Sequence, residues 1–421
     1  MVTMDSLAYG GDAVGHIGDK VIFVHGGVPG DVARVNILQD KGSYLRGIME
    51  ELLIPSPARV EPFCPLAIRC GGCQWQEIAY TEQLRWKKTI VEESFRRIGG
   101  IDTADVEDCQ PSPIEQGFRS IVRYPSKMTA DGLVFGYYER RSHNIVGFDR
   151  CPAACERVNT IAAYIKRLFS DSLSTFDIRE ITIQSSYNNT SSLITFTTAG
   201  YDDMSDAARR MLSDIPGLAG VIHHTVHGRH MHIYGEQFRF EVINGNRFRI
   251  GESSFFQTNI PQTERLVSLA GSMLSCEPSD TMVDGYGGVG LFSLNTAPSE
   301  AKIHLYDLTE SAVNDSIFNA RELGFNHFTA HRKDTLSAAA AIGHADILIL
   351  DPPRPGLGTK TVKAVSTLNA RTIVYVSCNP TTLARDVKLF REEGYVIGRI
   401  VPVDMFPQTY HIETVVKLMK A

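Results

Sequence analysis

No run of apolar residues reaches the roughly 18 that a bilayer span requires, and no basic-then-apolar leader opens the chain. On these absences a cytoplasmic protein is expected. An excess of positive charge is also missing. Against 42 Lys and Arg stand 48 Asp and Glu, a formal charge of −6. A nucleic-acid partner would therefore have to be held by local basic patches. Cysteine is too sparse for a secreted disulfide framework, at eight in 421 residues. In a reducing compartment such thiols suggest metal ligation or catalysis. The length exceeds one ordinary core, and two or three domains are expected.

What is present is strongest late in the chain, at Tyr375-Val376-Ser377-Cys378-Asn379-Pro380. Residues 371–376 are β-branched and apolar and predict a buried strand. Asn-Pro-Thr-Thr breaks it, and Thr381 or Thr382 is expected to cap a helix over 383–393. Cys378 then sits at a strand's carboxyl end and a helix's mouth, where open α/β sheets bind ligands. A helix amino terminus also lowers a thiol's pKa, and the thiolate is the nucleophile. The alternative is a buried structural cysteine.

Upstream, a strand ends on Asp284 and is followed by Gly285-Tyr286-Gly287-Gly288-Val289-Gly290 and a helix over 291–296. A second strand ends on Asp307, an acid suited to the ribose hydroxyls of an adenosine moiety. Strand, glycine loop, helix, strand and acid make a nucleotide-type βαβ unit. NAD would also fit, although D-x-Y-x-G-x-G lacks the G-x-G-x-x-G spacing that cradles a pyrophosphate. A further strand over 345–351 ends on Asp351 and runs into Pro352-Pro353-Arg354-Pro355-Gly356, a stiff loop expected beside Cys378. Glu413 immediately precedes a last buried strand over 414–418, where an acid is costly unless paired or used.

The first 60 residues are glycine-rich with short apolar runs, and predict a small β-barrel. Cys64, Cys70 and Cys73 follow within ten residues, with Gly71-Gly72 letting the backbone wrap closely. Cys151 is the natural fourth thiolate and Cys155 its competitor. Spacing does not choose between zinc and an iron–sulfur cluster. A helix over 80–98 carries Arg85, Lys87, Lys88, Arg96 and Arg97, either a phosphate-binding face or an ordinary solvated one. Alternation over 117–148 and 178–250 predicts an antiparallel central domain with a helix over 158–170. His223, His224, His227, His230 and His232 form a patch best read as solvated or hydrogen-bonded, since no carboxylate or cysteine lies nearby in sequence.

Taken together, the amino-terminal barrel, C-x5-C-x2-C, F-x-Q-x-N at 255–259, the Asp284 loop, Asp351-Pro-Pro-Arg354, Ser377-Cys378-Asn379-Pro380 and His411-x-Glu413 resemble one family. It is that of the S-adenosylmethionine-dependent RNA uracil-5 methyltransferases, which act on tRNA or large-subunit ribosomal RNA. The resemblance covers nearly the whole chain and implies α/β architecture in three parts. They are a TRAM-like barrel over 1–60, a central α+β domain over 61–250, and a class I (Rossmann-like) methyltransferase domain over 251–421. It implies Cys378 as nucleophile and Glu413 as base, with cofactor contacts at Gln257, Tyr286, Leu291, Asp307, Asp334 and Asp351. It also implies a [4Fe-4S] cluster on Cys64, Cys70, Cys73 and Cys151, an RNA substrate (23S ribosomal RNA first, tRNA as the alternative), and a monomer. One departure is Gly287, at a loop position where the family commonly has cysteine.

Overall fold

A computed structural model describes residues 1–102, 104–130, 132–170, 176–187, 191–200, 203–226, 228 and 231–421. Val2–Leu7, Ala13–Ile17, Lys20–His25, Val32–Asp40 and Tyr44–Ile54 close into a barrel in which the last two strands exchange places. Inward Val2, Met4, Ala13, Ile22 and Val24 alternate with outward residues, as a barrel wall requires. Gly15 is needed for closure: a Cβ there would lie 2.4 Å from the Thr3 carbonyl oxygen.

The central sheet runs, in spatial order, Met231–Gly235, Leu218–Thr225, Ser192–Thr198, Ile178–Ser185, Ile121–Thr129, Gly132–Tyr138 and Ile145–Gly147. It departs from the antiparallel expectation at one place. Ser192–Thr198 and Leu218–Thr225 are parallel, because the helix Ser205–Asp214 connects them as a crossover. The helix Glu156–Ser170 covers the sheet and buries Val158, Ile161 and Ile165. His224 meets the Glu252 carboxylate at 3.2 Å, a partner far away in sequence. His227 and His230 lie outside the described residues. The hairpin Phe238–Ile243/Asn246–Gly251 turns on Asn244-Gly245, both at positive φ, as a tight Asn-Gly hairpin does. Ile243, Phe248 and Ile250 enter the same core as the helix Ile260–Met273, so this hairpin packs on the carboxyl-terminal sheet.

That sheet runs Phe328–Arg332, Lys302–Asp307, Thr281–Gly285, Ile347–Leu350, Thr372–Ser377, Glu413–Lys420, Tyr395–Val403. The first five strands are parallel; Glu413–Lys420 is antiparallel to both neighbours. Strand order reverses beside Thr281–Gly285, which opens a crevice at the carboxyl ends. The helix Tyr80–Arg97 packs against Pro380–Glu392 and shares a core with the barrel. Its charges are largely engaged within the molecule. Lys87 is fully buried at 2.5 Å from Asp404, while Arg85, Arg96 and Arg97 meet Glu82 or Glu93. The helix is thus a packing element more than a phosphate-binding face. Among the described residues no helix is long and apolar enough to cross a membrane.

Candidate active site

The geometry of the crevice follows from strand direction. Thr372–Ser377 ends at the crevice, so Cys378 emerges there, half-buried. Glu413–Lys420 runs the opposite way, with Ser377 paired to Thr414, so its first residue arrives beside the cysteine. The turn after Cys378 is held by Asn379, whose Oδ1 accepts from the Thr381 amide at 3.0 Å. Asn379, rather than Thr381 or Thr382, is therefore the cap, and Pro380 takes the first helical position, where its missing N–H costs nothing. The Asp351-Pro-Pro-Arg354 loop is fastened to the same helix. Asn379 Nδ2 and Thr382 Oγ1 donate to the Arg354 carbonyl at 3.2 and 3.1 Å, and Arg385 donates to Pro355.

The charges in this crevice oppose one expectation. Burial, then the Glu413 and Asp351 carboxylates, push the Cys378 thiol up to about 11; Arg354 works the other way and is outweighed. A helix amino terminus alone would have lowered it. Glu413 is buried and its Oε1 has no hydrogen-bond partner among the described residues. Burial and Asp351 hold it well above the ordinary carboxylate range. Asp351 itself rises to about 7 through desolvation and the nearby Asp284, and Asp284 reaches about 7 chiefly by burial. His411 falls to about 4 by burial and the Arg354 charge, and is neutral at pH 7. The crevice thus holds carboxyl groups whose ionisation is opposed by burial and by one another.

Residues expected to hold the cofactor lie along the same edge. Asp307 ends its strand, accepting from the Gly288 and Thr309 amides at 3.1 and 2.7 Å. Tyr286 stands at φ 60°, its amide bonded to Thr335 Oγ1 at 3.2 Å. Asp334 caps the turn that carries Thr335. Leu291 is buried just before the short helix Ser293–Thr296. Gln257 is buried in the segment leading to Asn259, which caps Ile260–Met273 and donates to Ser112 and to the Met405 carbonyl. Gly288 opens on free space, while a Cβ at Gly287 would lie 2.7 Å from both Asp284 and Leu305. That packing closes the Gly287 position to a side chain here.

Cys64, Cys70, Cys73 and Cys151 line one small cavity of about 30 Å³ with Gln76, Arg119 and Tyr137. Burial raises Cys70 to about 11, and Cys73, Cys151 and Cys64 add to it. Cys155 lies outside that cavity, with Glu241 as the carboxylate acting on it. The Arg119 guanidinium donates to the Gly72 carbonyl and the Tyr137 hydroxyl at 3.0 and 3.2 Å. Burial opposes its charge, yet Tyr137, Cys73 and Cys151 hold it above the ordinary value. Among the described residues no group of three or more His, Cys, Asp or Glu side chains is placed to hold a metal ion.

The profile of the tRNA (uracil-5-)-methyltransferase family matches residues 79–421, and that of the TRAM domain residues 1–49. The chain belongs to this methyltransferase family. An uncharacterized RNA methyltransferase of Thermosynechococcus vestitus is 32% identical over 434 residues, covering 99% of this chain and 96% of its own. One of Thermotoga maritima is 30% identical, covering 100% and 98%. The tRNA (uracil-54, C5)-methyltransferase of Pyrococcus abyssi, solved with S-adenosyl-L-homocysteine, superposes with a TM-score of 0.77 at 26% identity over the full length of both chains. The family member described here is thus an RNA methyltransferase with a TRAM barrel ahead of its methyltransferase fold. Sequence reasoning missed the contact that the barrel makes with this site: Tyr9, followed by Gly10-Gly11 in the barrel's first turn, reaches Cys378.

Proposed function

We propose that the protein methylates carbon 5 of a uridine in RNA through a covalent bond between Cys378 and carbon 6. The observation that carries this reading is the meeting of Cys378, Glu413, Asp351 and Arg354 at one strand edge, where each group's charge acts on the thiol. Carbon 5 of uracil is a poor nucleophile. When the Cys378 sulfur gives an electron pair to carbon 6, the C5–C6 π pair moves onto carbon 5 and the ring's oxygen. S-adenosylmethionine supplies a methyl group on a sulfonium, an electrophile for that carbon. Glu413 then takes the carbon-5 proton, the C–H pair restores the double bond, and the C6–S pair returns to sulfur. The thiol's own proton has to leave first. Asp351, near 7 and acting on both groups, is suited to hold it, which keeps Glu413 free for carbon 5. Arg354 is the chain's own cation opposing this build-up of negative charge. Gln257, Tyr286, Leu291, Asp307, Asp334 and Asp351 would hold the cofactor, and the open cradle at Gly288 fits an adenosine moiety on Asp307. The uridine has to leave its stack to enter the crevice.

Cys64, Cys70, Cys73 and Cys151 would hold a [4Fe-4S] cluster. Four thiols around one cavity, next to a cation and without a carboxylate lining it, suit an anionic cluster. Zinc at Zn–S distances of about 2.3 Å would need the thiols gathered on one point. Protein purified without oxygen should be brown and contain iron. Stoichiometric zinc in a colourless protein would overturn the assignment.

The cluster motif favours 23S ribosomal RNA as the substrate. Full-length likeness to the P. abyssi enzyme, which its name assigns to tRNA, favours tRNA as the second reading. Mapping 5-methyluridine in both RNAs from a strain lacking the gene should show one position unmodified. Unchanged 5-methyluridine in both would contradict the function.

A further inference from the structure

The barrel reaches the chemistry directly. Tyr9, in the turn between the first two strands, donates its hydroxyl to the Cys378 carbonyl at 3.2 Å. Its ring meets Tyr410 edge-on, with centroids 6.0 Å apart. Two residues on, Gly11 presses so close to Tyr410 that a Cβ would lie 2.8 Å from its ring. The Gly11 carbonyl accepts from the buried Trp75 indole at 3.3 Å, and the Trp75 amide donates to Gln408 at 2.9 Å. One turn of the barrel therefore grips both the end of the nucleophile's strand and the 408–411 loop that leads into Glu413.

We infer that Tyr9 is a positioning residue for the nucleophile: its hydroxyl fixes the Cys378 backbone, and so the direction of the thiol, from a different domain. The inference rests on reading Cys378 as the nucleophile. Cys378 lies just past the last paired residue of its strand, where the ladder no longer orients the backbone. A donor at its carbonyl sets that orientation without touching the reacting atoms. Tyr9 is half-buried, and burial followed by Cys378 pushes its hydroxyl up to about 12, so the group remains a donor across the working pH range.

If Tyr9 merely glued the barrel in place, its loss would weaken RNA binding or folding and leave the chemical step intact. The two roles separate in Tyr9→Phe, which keeps the ring against Tyr410 and removes only the donor. The probes are transcripts of 23S ribosomal RNA and tRNA in which uridine is replaced by 5-fluorouridine, whose fluorine no base can remove as a cation. The adduct formed with S-adenosylmethionine therefore persists. Single-turnover adduct formation at saturating RNA should slow by roughly tenfold, with RNA affinity and melting temperature unchanged. A wild-type rate, or a loss that saturating RNA restores, overturns the inference. If the wild-type protein forms no adduct, the nucleophile reading fails and takes this one with it. If it does and Tyr9→Phe keeps pace, this one alone fails.

Discussion

Cys378→Ala should transfer no measurable methyl group to RNA, a fall of more than about a thousandfold, and should form no covalent complex. Affinity for S-adenosylmethionine should stay near that of the wild type, because Asp307, Tyr286 and the glycine loop are held by bonds that do not involve the thiol. The fold should also survive. Cys378 is half-exposed, and the turn after it is set by Asn379 and Pro380. Isothermal titration with the cofactor and a tritium-transfer assay on bulk RNA separate the two effects. Turnover retained by the alanine variant would end the nucleophile assignment.

Glu413→Gln should have the second-largest effect and a different signature. In the proposed mechanism addition and methylation precede proton removal by Glu413, so the variant should accumulate a methylated enzyme–RNA adduct while turnover falls by about a hundredfold or more. Gels under denaturing conditions would show the slow-migrating species. A second consequence concerns the free enzyme. The thiolate fraction of Cys378 rises with pH toward about 11, and the Glu413 carboxylate is the first charge that keeps it so high. Replacing it with an amide removes that charge, so thiol alkylation should shift to lower pH wherever Glu413 would have been ionised. An unshifted alkylation profile would show that the two side chains do not sense each other.

Both variants test residues that were legible in the sequence for a physical reason. Cys378 lies just past the carboxyl end of one strand, and Glu413 opens its antiparallel neighbour. At Asp284, Asp351 and Cys378 an apolar run stops on a reactive residue with a glycine or proline within two positions, Asp307 ends its strand as an acid, and the parallel strands bring these four to one edge. The cysteine cavity was equally readable, because three of its thiols are local. Contacts between distant segments were not. Nothing around Tyr9 signals a residue 369 positions away, and the Asp404 partner of Lys87 lies 317 positions along the chain. The parallel pair in the central sheet hid behind strands whose alternation reads the same in either direction. The thiol's direction of shift was misread for the same reason. The helix end is local, whereas the burial that outweighs it, and the carboxylates that add to that burial, come from segments distant in sequence.

The most direct test is peptide mapping of the complex that Glu413→Gln forms with RNA and S-adenosylmethionine. After nuclease and protease digestion, the peptide carrying Cys378 should bear a nucleotide whose base has gained one methyl group. A nucleotide attached at another cysteine, or no attachment to any peptide, would contradict the account.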